Sequence, residues 1–145
     1  MLHKEFIHQL DERRILDAIT TAEKTTSGEL RVYVSHKERH DALTFAKKRF
    51  VELGMTATKQ RNAVLIYLVP RTRQFAVLGD LGIHQKCGDA FWKDIVTAMS
   101  IRLREGQFTE ALVQAIAKIG AVLQQHFPAT DDNKNELRNE IAGDE

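Results

Sequence analysis

The chain is 145 residues long, 43% hydrophobic and 28% charged, with a formal net charge of +1. Those values suit one soluble globular domain with a real core, and they exclude the strongly basic balance of a nucleic-acid binder. A single cysteine, Cys87, excludes an intrachain disulfide and a cysteine zinc site, and no run approaches the ~18 apolar residues of a membrane span.

Charge is unevenly distributed. Residues 131–145 hold six acidic residues against Lys134 and Arg138, so the tail carries −4 and the remainder +5. The opening MLHKEFIHQLDERR lacks an apolar core of signal-peptide length, so a cytoplasmic protein is the expectation.

In chain order, Phe6 and Ile7 are expected in an early turn against the body. Residues 11–24 then read as a helix capped by Asp11, with Ile15, Leu16, Ile19 and Ala22 on one face. Thr25-Thr26-Ser27-Gly28 ends it. Glu29 opens a strand in which Leu30, Val32 and Val34 alternate with Arg31 and Tyr33, the pattern of a half-buried strand. Asp41 can cap a second helix with Leu43, Ala46, Phe50 and Leu53 inward, stopping at Gly54.

Two apolar runs follow, Ala63 to Val69 and Phe75 to Gly79, joined by Pro70-Arg71-Thr72-Arg73. The short connection predicts an antiparallel hairpin. Neither run alternates, so the hairpin is expected in the sheet interior, covered on both faces. Leu81 to Gly88 reads as a loop with two glycines. Asp89 can cap a third helix carrying Phe91, Trp92, Ile95, Val96 and Met99 up to Gly106. Phe108, Leu112, Ile116, Ile119, Leu123 and Phe127 stripe a fourth, which Pro128 stops. Residues 1–128 thus form one α/β domain. Residues 129–145 form a polar, loose acidic tail with Leu137 and Ile141 as candidate docking residues, and a further strand has room in a segment read as loop.

The helix between the first strand and the hairpin makes those strands parallel, giving a mixed sheet with helices on both faces. Parallel strands start at one edge, and the antiparallel third strand ends there. Glu29, Arg61, Asn62, Asp80, His84 and Asp89 are therefore expected to converge. Carboxylates and an amide suit a hard cation, and calcium takes about six to eight oxygens. Arg61, His84 and a helix start after Gly88 suit a phosphate group.

Each of these residues also has an ordinary reading. Asp89 can be a helix cap, Asp80 a turn residue, Glu29 a solvated charge, Asn62 a turn former, His84 an exposed loop histidine and Arg61 an ion-pair arginine. His36 and His40 lack a partner motif for zinc. Cys87 lacks a histidine to activate it. No phosphate loop, dinucleotide glycine fingerprint or nucleophile elbow is present.

Several segments together resemble a known family: Thr26-Ser27-Gly28-Glu29-Leu30-Arg31-Val32, Phe50 to Gly54-Met55 with Thr58, and Arg61-Asn62-Ala63-Val64-Leu65-Ile66-Tyr67. Gly79-Asp80-Leu81-Gly82-Ile83, Phe91-Trp92, Gly106-Gln107-Phe108, Ile119-Gly120 and Phe127-Pro128 continue the pattern. In order and spacing they resemble the TPM domain family, in its compact branch without signal peptide or anchor. The resemblance covers roughly residues 5 to 128. It implies a Rossmann-like three-layer α/β/α sandwich, and divalent-cation binding in some members, calcium more than magnesium. It also implies phosphate-ester or nucleotide hydrolysis in some members, and assembly or repair of protein complexes in others.

After the third strand the family pattern is Gly-aromatic-Gly-Leu-Glu, followed five residues later by Asp. Gly82 matches the second glycine and Ile83 the leucine, His84 stands in place of the glutamate, and Asp89 matches the aspartate. Asn62 matches the family's asparagine, with Ala63 in place of the glycine after it. The expectation is a monomer with Asp80, Asp89, Asn62 and Glu29 around calcium, and Arg61 and His84 toward a phosphate-containing small molecule. Water would be the nucleophile and no catalytic side chain is assigned. The competing expectation is a non-enzymatic module that binds a protein partner.

Overall fold

The computed structural model describes residues 1–129 and 141–143. The elements are α1 (His3–His8), α2 (Glu12–Lys24), β1 (Glu29–Val34), α3 (Ala42–Glu52), β2 (Ala63–Val69), a 3-10 turn (Pro70–Thr72), β3 (Gln74–Gly79), α4 (Leu81–Arg104), α5 (Phe108–His126) and β4 (Ile141–Ala142). The sheet order is β3-β2-β1-β4. β1 and β2 are parallel, with Glu29 opposite Ala63. β2 and β3 are antiparallel, with Val64 opposite Gly79. The mixed α/β sheet expected from the chain order is therefore present.

The pleat separates two cores. Leu30, Val32, Val34, Val64, Ile66 and Leu68 pack with Ile15, Ile19, Ile95, Met99, Leu112 and Ile116 of α2, α4 and α5. Tyr33, Ala63, Leu65, Tyr67 and Val69 point the other way, onto Ala42, Ala46 and Phe50 of α3. Tyr33 and Tyr67 stack there with ring centroids 5.4 Å apart. Burying both faces removes the alternation read in β1, all six of whose residues are buried, Arg31 included. The half-buried assignment is corrected accordingly.

Local signals account for most boundaries. The Asp11 carboxylate accepts from Arg14 N at 3.2 Å and that of Asp41 from Thr44 N at 3.2 Å, each satisfying an open amide at a helix start. On α3 the inward face is Ala42, Ala46 and Phe50, whereas Leu43 is 48% exposed. Ala46 and Phe50 are buried as expected and Leu53 packs against them, but Ala42 takes the inward place expected of Leu43.

Three further expectations are corrected. The hairpin is not wholly interior, since β3 is an edge strand and only Ala76 and Val77 in it are buried. Residues 81–88 are not a loop. Asp80 caps a helix starting at Leu81, which runs to Arg104 with one interruption at Gly88 (φ 75°, ψ 175°). The two glycines serve different ends: Gly88 breaks the helical conformation, whereas Gly82 is inside the helix and is small for another reason. A Cβ on Gly82 would lie 2.0 Å from the Gln60 carbonyl oxygen. Finally, Asp89 opens the second helical segment directly after Gly88, as expected, but the helical region already begins at Leu81 under the Asp80 cap.

The tail contributes to the sheet. Val32 of β1 pairs with Ile141 and Tyr33 with Ala142, in parallel. Ile141 is the docking residue expected from the sequence, and Leu137 lies outside the described residues. Among the described residues no helix is long and apolar enough to cross a membrane.

Candidate functional site

The amino ends of β1 and β2 and the carboxyl end of β3 meet at one edge of the sheet, as the topology requires. Most of the buried polar residues collect there: Thr26, Glu29, Thr58, Asn62 and Asp80 are each 6% exposed or less. Buried polar groups need partners, and here Thr58, Asn62, Thr26 and Asp80 find them in the strand-leading loops, in Arg61 and at the helix ends.

Arg61 is at the centre. Its backbone takes φ 51°, uncommon for a side-chain-bearing residue. That turn brings its guanidinium onto Asp80, with Nε donating to Oδ2 at 2.5 Å and Nη2 to Oδ1 at 2.8 Å. The Asp80 bonds hold the guanidinium pKa above its ordinary value, with burial opposing. Oδ1 of Asp80 also accepts from Leu81 N at 2.8 Å, and Asp80 N donates to Ala63 O at 2.9 Å. The carbonyl of Arg61 accepts from Gly82 N at 2.8 Å and Ile83 N at 3.3 Å. The first amides of α4, which an anion would use, are thus bonded to Asp80 and Arg61.

Asn62 is 1% exposed. Its backbone N–H donates to Thr58 Oγ1 at 3.3 Å and its side-chain amide to Ser27 Oγ at 3.2 Å. Thr26 Oγ1 donates to carbonyls at the end of α5, Leu123 at 3.1 Å and Phe127, and accepts from Gly28 N at 3.0 Å. Glu29 is 2% exposed at the head of β1. Beside it, Leu30 N donates to Glu23 Oε2 at 2.9 Å.

His84 lies one turn into α4, and Asp89 lies just past the interruption at Gly88. His84 Nε2 is 3.3 Å from Asp89 Oδ1, and their side chains are 45% and 83% exposed. Asp89 is therefore a surface carboxylate, unlike Asp80. The fold brings Glu29, Arg61, Asn62 and Asp80 to one edge, with His84 and Asp89 as a separate exposed pair on the helix leaving it. Among the described residues no three His, Cys, Asp or Glu side chains are grouped to hold a metal ion. Cys87 lies between His84 and Asp89 in α4, and burial pushes its thiol pKa up, which lowers the reactive thiolate fraction.

Thr26, Ser27 and Thr58 belong to this network and were assigned no role from the sequence. Their signal was present, because all three lie in breaks directly before strands. The identity of their partners depends on the end of α5, about a hundred residues away for Thr26.

A model of the TPM domain matches residues 2–122. No curated protein matches the chain. Among solved structures it is similar to the BA42 protein of the psychrophilic bacterium Bizionia argentinensis, determined by NMR, at 38% identity over 92% of each chain with a TM-score of 0.84. It is also similar in fold to the N-terminal domain of a P. gingivalis protein, at 20% identity over 80% of this chain and 75% of that one, with a TM-score of 0.59. With the family match spanning β1 to β3, α1 to α4 and most of α5, the chain belongs to the TPM domain family.

Proposed function

We propose that this TPM domain is a non-enzymatic binding module: a cytoplasmic, monomeric protein that engages a protein partner in the assembly or repair of a larger complex. The observation that carries the reading is the Arg61–Asp80 pair. Asp80 is the buried carboxylate at the start of α4 on which the metal reading depends, and both its oxygens are taken by Arg61 and the Leu81 amide. A cation at Asp80 would have to displace a guanidinium first. We read the buried polar groups as a clasp joining the loops before β1 and β2 to the start of α4. The layers, with α3 alone on one face, support a Rossmann-like three-layer sandwich of unequal halves.

A second reading keeps Asp80, Asp89, Asn62 and Glu29 as calcium ligands, with Arg61 and His84 toward a phosphate ester and water as nucleophile. What favours it is the burial of Glu29, Asn62 and Asp80 at one strand end, since buried ionisable groups concentrate at functional sites.

One experiment separates the two. Calcium and magnesium are titrated to millimolar concentration while backbone amide shifts are followed, and turnover of phosphate monoesters and nucleotides is measured alongside. The module reading expects no saturable shifts at Glu29, Asn62 or Asp80 to Asp89, and no turnover. Saturable shifts confined to those residues, with turnover lost in folded Asp80→Ala and Asp89→Ala variants, would overturn it in favour of the metal centre.

A further inference from the structure

The opposite end of β2 holds a cavity that the polar edge does not explain. Its volume is about 360 Å³, and its walls include Phe6, Leu68, Phe75, Leu103 and Phe108. The rings of Phe6 and Phe108 lie 4.9 Å apart between centroids, bringing α1 and the start of α5 together there. Cavities of a few hundred Å³ with mostly apolar walls and a few polar groups are the usual form of small-molecule sites. This one sits at the carboxyl end of a parallel strand, where open α/β sheets tend to bind ligands. Arg61 and Asn62 precede β2, so the cavity is separated from them by the length of the strand, about 20 Å at ~3.3 Å per residue.

Two cations complete it. Arg73, from the hairpin turn, and Arg104, from the last turn of α4, both contribute to the lining and both are exposed. Among the described residues neither guanidinium has a hydrogen-bond or ion-pair partner, in contrast to Arg61 on Asp80 and Arg14 on Glu110. Arg104 also complements the carboxyl end of α4. Arg73 takes φ 55° and ψ 44°, a left-handed conformation that glycine adopts at less cost. A side chain kept at a position where glycine is easier is the kind of local strain that accompanies binding sites.

We infer that this cavity binds a small amphipathic carboxylate, a medium-chain acyl tail lying between Phe6, Phe75, Leu103 and Phe108 with its carboxylate on Arg73 and Arg104. The apolar walls take the chain out of water. Guanidinium forks match a carboxylate in plane and distance. The volume is at the low end for ligand sites, which selects a short to medium chain over a long one. The site is independent of the polar edge and stands or falls apart from the function proposed above.

The test uses the full chain with decanoate, kept below its micellar range, and decanol as the same chain without charge. Amide shifts are followed in both titrations. The expectation is saturable decanoate shifts at Phe6, Phe75, Leu103 and Phe108, with decanol roughly tenfold weaker. Arg73→Gln and Arg104→Gln should each weaken decanoate by roughly five- to tenfold, less than for a buried charged hydrogen bond because both guanidinium groups are exposed to solvent. Both side chains are on the surface, so the amide spectrum should show both variants folded. If either is not, the decanoate–decanol pair on the unaltered chain decides alone. Equal affinity for decanol, no saturable decanoate shifts, or an unchanged affinity in a folded double variant would each overturn the assignment.

Discussion

Gly82→Ala is the sharpest probe of how the polar edge is built. In a helix, alanine is better than glycine by about 1 kcal/mol, so propensity alone makes this change stabilising. The tertiary contact reverses the sign. A Cβ at residue 82 would lie 2.0 Å from Gln60 O and 2.7 Å from Arg61 O, both backbone atoms that no rotamer change can move. Relief requires the first turn of α4 to retreat by more than an ångström, which breaks the bonds from Gly82 N and Ile83 N to Arg61 O. Two hydrogen bonds at about 1 kcal/mol each, plus about 1–3 kcal/mol for forced repacking, less the propensity gain, give a net loss of about 2–4 kcal/mol. Gly54→Ala is the control, because residue 54 has φ 72° with nothing within 4 Å of its Cβ position. Its cost is backbone strain alone, about 1–2 kcal/mol. In urea, with a slope of about 2 kcal/mol/M, Gly82→Ala should lower the midpoint by about 1–2 M, and Gly54→Ala by less than 1 M. A Gly82→Ala protein as stable as the parent, or more stable than Gly54→Ala, would refute the close approach of α4 to the Arg61 loop.

Asp80→Ala should cost about 1 kcal/mol through loss of the α4 cap, on top of the lost Arg61 bonds. Asp80→Asn retains a capping oxygen and should lose less; equal urea midpoints for the two variants would show that the cap contributes nothing. The Asp41 carboxyl is held below its ordinary pKa, first by the Thr44 side chain and then by the Thr44 backbone N–H. A carboxyl lowered in the folded state adds stability that is fully present above its unfolded pKa of about 3.9 and is lost as pH falls through the folded value. Thermal unfolding between pH 5 and about 3 should therefore fall less steeply for Asp41→Asn than for the parent, and parallel curves would contradict the cap.

Much of the fold was legible in the sequence because its signals are local. Asp11 and Asp41 mark helix starts within three residues of the amides they cap. The α5 stripe is a repeat along one surface, and the hairpin is two apolar runs around a proline turn. On α3 only Leu43 departs from the expected inward face: it is more hydrophobic than Ala42, whereas position on the helix decides which is buried. The Leu81–Cys87 turn was missed because glycine signals a break whether it serves backbone freedom, as at Gly88, or close approach, as at Gly82. Only the neighbouring backbone distinguishes these.

The candidate site divides along the same line. Chain order and strand direction brought Glu29, Arg61, Asn62 and Asp80 to one sheet edge, because a crossover helix makes strands parallel and a tight turn makes them antiparallel. Whether Asp80 faces an open pocket or a guanidinium was not written in its own segment. The left-handed turn at Arg61 decides it. Nor did Pro70-Arg71-Thr72-Arg73 reveal that its last arginine joins Arg104 at a cavity, since the two are joined by packing alone. Sequence by itself determined most of the elements, their order and the edge on which polar residues gather, because periodicity, caps and turns act over a few residues. The tertiary structure alone decided which charge pairs with which and where space remains, because those depend on the positions of atoms far apart along the chain.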